Sequence, residues 1–355
     1  MPDWTKSMQQ TYEYYIVDPA TWQNKEPIKD VLGCNITRDG SADTLGSATI
    51  DLSKSVGECY IRAYLVTIQK GITEKFPLAT FLVQTPSSSF DGKTLSVSVD
   101  GYTPLLELKE NPPPIGYYTP KDANVLESAY LLVREHARAP VSQTSSDDTL
   151  HYDFVANTND TWLSYIRDLI ANVKYKFDLD EMGRILFAPK QDTAALRPVW
   201  TYTDDNSSIL SPDITMDRDL YGIPNVVEVI YSTDNDIFYA RVVNDDPNSP
   251  ISTVNRGREL KRRVTNPDIV GTATQARIDE YANQLLRELS TLEYTITYTH
   301  GYCPVRLGDC VRLNYTRAGL TDIKARVIHQ TIKCGSGCQV TEKAVFTKKL
   351  WGDTI

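Results

Sequence analysis

Between residues 31 and 99 apolar side chains recur at every second position, and that alternation confines the segment to strands with one buried face. Leu32, Cys34 and Ile36 alternate with Gly33, Asn35 and Thr37, and Cys59, Ile61, Ala63 and Leu65 alternate with Tyr60, Arg62, Tyr64 and Val66. Phe81 and Val83 continue the pattern, and Leu95, Val97 and Val99 enclose Ser96 and Ser98. Arg38-Asp39-Gly40, Lys70-Gly71 and Asp91-Gly92 separate the runs with residues that reach the positive φ of hairpin turns. The expectation is an antiparallel sandwich or small barrel, with Cys34 and Cys59 as core residues. A content of 21 Tyr against 8 Phe, with many Val, Ile and Thr, favours the same strands.

Asn111-Pro112-Pro113-Pro114 ends this pattern. Beyond it the period becomes helical. Asp122 is placed to cap a helix whose apolar stripe is Leu126, Ala129, Tyr130, Val133 and Ala137, stopping before Pro140. A second helix over 159–173 sets Trp162, Ile166, Leu169, Ile170 and Val173 on one face and leads into a hairpin of 175–179 and 184–187. Alternation returns at Val226 and continues to Phe346. One helix over 272–290 interrupts it, with Thr272 and Gln275 as a capping box and Ile278, Ala282, Leu285 and Leu289 as its buried stripe. The fold class expected is mainly β with an α+β insert. It comprises an N-terminal arm over 1–27, a β domain over 28–105, an α/β insert over 106–216 and a second β domain over 217–355.

Charge narrows the function. With 37 basic and 46 acidic residues the net charge is −9, whereas a protein that grips a phosphate backbone carries a basic stripe. The one dense basic run, 256–263 (RGRELKRR), reads as a solvated segment or a subunit contact. No apolar run approaches the roughly 18 residues that span a bilayer. The opening MPDWTKSMQQTYEYY lacks the apolar stretch of a signal peptide, so folding in a cytosol is expected. His136, His151, His300 and His329 fall in no HExxH or HxH spacing, and GxSxG, GxGxxG and GxxxxGKS/T are absent from the sequence. Asp147-Asp148, Asp204-Asp205 and Asp245-Asp246 lie in polar stretches and read as solvated turns rather than calcium ligands or acid–base pairs. No catalytic or cofactor-binding residue is assigned, and the chain is expected not to be an enzyme.

Four of the six cysteines, Cys303, Cys310, Cys334 and Cys338, fall in the last fifth of the chain, spaced C-x6-C and C-x3-C with 23 residues between the pairs. Disulfides are rare in a cytosol. One reading is therefore a metal site, zinc or an iron–sulfur cluster held by four thiolates. Buried free thiols, or a Cys334–Cys338 bond formed after release from the cell, are the others. If strands near 294–299, 310–316, 324–333 and 338–346 form a meander, both cysteine pairs lie at one end of it.

Residues 218–258 read RDLYGIPNVVEVIYSTDNDIFYARVVNDDPNSPISTVNRGR, followed by ARIDEYANQLLRELS and PVRLGDCVRL and preceded by TWLSYIRDLIANVKYKFDLDEMGRILFAP. This ordered set resembles the hub proteins of siphophage tail tips, relatives of the baseplate hubs of contractile phages, over about residues 30–348. The resemblance implies two tail-tube-like antiparallel β-barrel domains flanking the α/β insert. It implies a homotrimer whose six barrels adapt a sixfold tube to a threefold tip. It also implies a structural part in the DNA-ejection conduit of the virion tail tip, assembled in the host cytoplasm. Implied partners are a distal tail protein ring, the tape-measure protein and tip or fibre proteins, while DNA passes transiently without stable binding. In such a hub Pro224 and Asn225 set the turn into a strand and residues 245–250 form a rigid loop. Arg256, Arg258 and the basic run pair with acidic surface on a neighbouring subunit. Some hubs of this kind carry a cysteine-ligated iron–sulfur cluster, though the spacing of Cys303, Cys310, Cys334 and Cys338 departs from theirs. A tail-associated cell-wall hydrolase, which needs a further domain, and a carbohydrate-binding host-recognition module, which Tyr-rich surface suits, remain as alternatives.

Overall fold

The alternating runs form strands in the computed structural model, which describes residues 1–90, 92–93, 95–191, 193–218, 220–233, 236–267 and 273–351. In chain order the first half holds β1 (Gln9–Val17), β2 (Asn24–Ile28), β3 (Val31–Asp39), β4 (Gly46–Leu52), β5 (Cys59–Gln69), β6 (Ile72–Phe90), β7 (Leu95–Tyr102), α1 (Leu106–Glu110), β8 (Tyr118–Thr119), α2 (Val125–His136), β9 (Phe154–Val155) and α3 (Trp162–Ala171). There follow β10 (Tyr175–Leu179), β11 (Ile185–Pro189), β12 (Trp200–Thr203), β13 (Leu210–Arg218), β14 (Val226–Ser232), β15 (Ile237–Val243), α4 (Thr253–Arg256), β16 (Lys261–Thr265), α5 (Gln275–Leu289), β17 (Thr291–Gly301), β18 (Cys310–Tyr315), β19 (Leu320–Lys333) and β20 (Gln339–Lys349). No helix among the described residues is long and apolar enough to cross a membrane. The fold is mainly β.

The chain builds two compact units, Met1–Ile214 with Thr297–Ala344, and Thr215–Ile296 with Val345–Ile355. The first break falls near the boundary expected at 216/217. The assignment of all of 217–355 to a second β domain is corrected, because 297–344 belongs to the first unit. The cause is register: β19 pairs antiparallel with β3 from His329↔Asp39 to Lys333↔Asn35.

In the first unit the ladder order is β20-β19-β3-β4-β7-β6-β5-β1-β2, with β18 against the first half of β19 and β12 parallel to β18. Residues 1–27 are not an arm. β1 pairs along β5 from Gln9↔Ile68 to Val17↔Tyr60, burying Tyr14 and Val17, and β2 pairs with β1. Among the described residues the path ends on the exposed edge strand β2 without closing into a ring, and two of its neighbours run parallel, so the closed, wholly antiparallel barrel is not seen. The β3–β4 turn has one steric requirement. Gly46 has φ +150°, and a Cβ there would lie 2.3 Å from the Thr37 carbonyl oxygen. Gly46→Ala is expected to destabilise by about 1–3 kcal/mol through backbone strain, read from the urea midpoint. Gly57→Ala, with nothing within 4 Å of the added carbon, should stay within about 0.5 kcal/mol of the parent.

The α/β insert packs α2, α3 and the β10–β11 hairpin around Leu126, Ala129, Val133, Leu163, Ile166 and Ile170, much as the helical period requires. Asn124, not Asp122, caps α2, its side chain accepting from Glu127 N; Asp122 adopts φ +64° two residues earlier. Thr161 and Ser164 form a capping box on α3.

In the second unit β14 runs antiparallel to β15 and parallel to β16. α5 lies on β14 and β15, with Ile278, Ala282 and Leu286 fully buried against Val227, Val229 and Ala240. The stripe follows i, i+4, i+8, so Leu286 takes the central place and Leu285 and Leu289 stand at its margin. Thr272 lies outside the described residues, and Thr274 caps the helix, accepting from Arg277 N.

Candidate functional site

Alternation puts Tyr298 and His300 of β17, Gln330 of β19, Glu342 of β20 and Tyr202 of β12 on inward-facing positions of the first unit. Apolar residues normally occupy such positions. Here His300 is 2% exposed, and Glu342 is fully buried. Burying a charge is costly unless every lone pair and proton finds a partner. Glu342 has that full set: Tyr298 OH donates to Oε2 at 2.7 Å, Tyr202 OH at 3.1 Å, Gln330 Nε2 donates to Oε1, and His300 Nε2 lies 3.4 Å from Oε1. His300 Nδ1 lies 2.6 Å from the Gly301 carbonyl, which can only accept, so that nitrogen carries the proton. Gln330 extends the chain, its Nε2 also donating to Val305 O and its Oε1 accepting from Arg38 Nη1 at 3.0 Å. Arg38 Nη2 donates to Leu78 O at 2.6 Å.

Burial pushes the His300 imidazolium down, but bonds to Cys303 and Glu342 and the Glu342 charge outweigh it and raise its pKa to about 10. Burial pushes the Glu342 carboxyl up, yet the His300, Gln330 and Tyr298 donors hold it below its ordinary value. The two form a buried ion pair. A group raised in the folded state stabilises fully below its unfolded value and loses that contribution as pH climbs through its folded value. The His300 contribution is thus complete below 6.5 and lost through about 10. The Glu342 contribution is present above 4.5 and lost as pH falls. The melting temperature is expected to fall between about pH 6.5 and about 10, measured by scanning fluorimetry, and His300→Leu/Glu342→Leu should lack that component.

Cys303 Sγ stands 3.4 Å from Tyr202 OH and 3.9 Å from His300 Nδ1, so thiol, imidazole and carboxylate follow one another as in nucleophilic catalysis. Cys303 is 2% exposed, however, and the clefts of the first unit are lined by other residues. What the network does is key β12, β17, β19 and β20 together in one register.

The four C-terminal cysteines do not form one set. Cys310 Sγ faces the Val311 carbonyl at 3.8 Å. Cys334 stands directly across the ladder from Cys34, its N donating to Cys34 O. Burial and the neighbouring Cys334 charge push the Cys338 thiol up to about 12, against an opposing bond to Tyr12. Among the described residues no three His, Cys, Asp or Glu side chains converge as ligands of one metal ion. The meander behind that expectation fails, because β20 separates β17 from β19 and β18 pairs only with β12 and β19. Cys34 is buried as expected and Cys59 partly so.

The GIPN and NDDPNSPISTVNRGR motifs of the second unit bond chiefly to themselves. Asn225 Nδ2 donates to Arg258 O and its Oδ1 accepts from Leu260 N, fixing the entry to β14. Asn244 Nδ2 donates to Ser249 Oγ, Asp246 accepts from Asn248 N, and Asn255 Nδ2 donates to Pro247 and Ser249 carbonyls. Arg256 donates to Ile223 O at 2.7 Å and Leu220 O at 2.9 Å, and Lys261, Arg263 and Arg241 surround the buried Glu228. Arg256 is thus spent within its own unit, where pairing with a neighbouring subunit was expected. The acidic pairs lie in turns: Asp148 bonds Ser146, Asp205 bonds Ser207 and Asp204 accepts from Thr316.

No family model and no curated protein matches the sequence. Solved structures do match. The tail protein from Neisseria meningitidis MC58 superposes over 96% of this chain and 98% of its own, with a TM-score of 0.61 and 12% identity. The chain has a tail-protein fold. The 43 kDa tail protein of prophage MuSo2 from Shewanella oneidensis shares it over 95% of this chain and 98% of its own, at a TM-score of 0.58 and 12% identity. A chain of the lidded PdpA–VgrG complex of Francisella shares it over 96% of this chain but 53% of its own, at a TM-score of 0.55 and 9% identity. Within this tail-protein fold the buried set around Glu342 matches none of the catalytic motifs. The signal for it was polar residues at inward positions, His300 two after Tyr298 and Glu342 between Val340 and Ala344.

Proposed function

We propose that the chain is a structural subunit of a phage tail, a non-enzymatic hub at the tail tip. As a homotrimer it adapts a sixfold tube to a threefold tip and lines part of the DNA-ejection conduit. The observation that carries this reading is the end-to-end superposition on the Neisseria tail protein, which uses 96% of one chain and 98% of the other. A net charge of −9 suits a conduit that must not grip a passing polyanion. Exposed apolar side chains suit a subunit meant for assembly. Ile115 is 98% and Tyr152 83% exposed, three and two residues before β8 and β9, where Tyr118 stands opposite Val155 and both are exposed. The partners proposed are a distal tail ring, a tape-measure protein and tip or fibre proteins. Light scattering and negative-stain microscopy of the purified chain test the hub: a threefold ring is expected, and a stable monomer at high concentration overturns it.

A further inference from the structure

A cleft of about 440 Å³ in the first unit is lined by four cationic side chains, Arg167, Lys176, Lys190 and Arg326, but by only two carboxylates. Asp43 is committed to one of these cations, and Asp178 to a backbone amide. Asp43 binds Arg167 at 2.9 Å and Lys109 at 3.0 Å, and Asp178 accepts from Leu179 N. Among the described residues Lys176, Lys190 and Arg326 have no side-chain hydrogen bond or ion pair. Arg326 Nε is buried without a partner, a state that folded proteins rarely leave uncompensated. Lys176 Nζ lies beside Gly308, 3.6 Å from where that residue's Cβ would stand, so glycine leaves room next to the ammonium group. In a chain of net charge −9 this is a local surplus of positive charge: Asp43 offsets Arg167, and Asp178 alone faces Lys176, Lys190 and Arg326.

We propose that this cleft binds a small organic phosphate monoester. A phosphate dianion offers several acceptor oxygens, which a guanidinium and two ammonium groups satisfy through charge-assisted bonds. The volume exceeds that of a bare anion and falls in the range of small-molecule sites. Phe177 and Val327, both buried, give the cleft an apolar floor for the organic part. The charge surplus sets the affinity and the floor sets the preference for an ester over the free ion.

Titration calorimetry on the purified full-length chain, with adenosine 5′-monophosphate, adenosine and inorganic phosphate as probes, tests this. The monophosphate is expected to bind more tightly than inorganic phosphate, adenosine to give no heat, and added salt to weaken the complex. Arg326→Gln should weaken monophosphate binding about tenfold or more, the loss expected for one charged hydrogen bond. Lys190→Gln changes an exposed side chain, leaves folding intact and should also weaken it. Three results would overturn the site: no monophosphate binding at about 10 mM, equal binding of adenosine, or unchanged affinity in Lys190→Gln combined with Lys176→Gln. Tighter inorganic phosphate than monophosphate would overturn the ester preference.

Discussion

Glu342→Leu is expected to remove about 3–5 kcal/mol of stability, the usual loss when one partner of a buried ion pair is deleted. In a protein of this size that lowers the melting temperature by about 10 °C. The substitution leaves the His300 imidazolium, the Tyr202 and Tyr298 hydroxyls and one Gln330 proton facing an alkyl group. Glu342→Gln keeps the shape and an acceptor oxygen but not the charge, and should fall between the two. Making both partners apolar, His300→Leu with Glu342→Leu, should recover much of the loss, because the cost arises from a charge left alone. Calorimetric melting of the four proteins decides the matter, and a single variant as stable as the parent would show that the pair is neutral.

Leu286→Asp is expected to unfold the second unit. Leu286 is fully buried between Ile278 and Ala282 of its own helix and Val227, Val229 and Ala240 of the sheet beneath, so the new carboxylate has no donor within its core. Loss of the packed side chain costs about 2–5 kcal/mol, and the buried charge adds to it. Limited proteolysis reads the result: cleavage should concentrate within 215–296, since the first unit has its own core around the α2–α3 insert. Leu285→Asp, one position away at the margin of the stripe, should be milder. Equal resistance of the Leu286 variant and the parent would remove α5 from the core of this unit.

The local half of the fold was legible. Period two located β3, β5, β6 and β7, but it misjudged the face of β5 expected to be wet, since Tyr60, Arg62, Tyr64 and Val66 are buried as well. Period 3.6 located α2, α3 and α5, because their stripes must meet a core. Neither period names a partner. Nothing within LTDIKARVIHQTIK states that β19 will lie beside β3, since strand pairing depends on two distant segments at once. The same limit misplaced the cysteines, whose spacing along the chain carries no strand order. The arm over 1–27 was a different error. In the sheet Tyr14 of that segment turns inward. The Glu342 network was visible only as a departure from alternation, and a lone polar residue in a strand gains meaning when the residues facing it are known.

The pairing of β19 with β3 has a consequence for how this protein is made. At ribosomal rates of about 5–20 residues per second, β3 emerges tens of seconds before the strand that covers it. Until then one edge of the largest sheet stands open, and Arg38 lacks the Gln330 acceptor. A chain whose synthesis stalls anywhere in the second unit never gains its closing strands. Completion of translation therefore becomes a condition for a finished sheet.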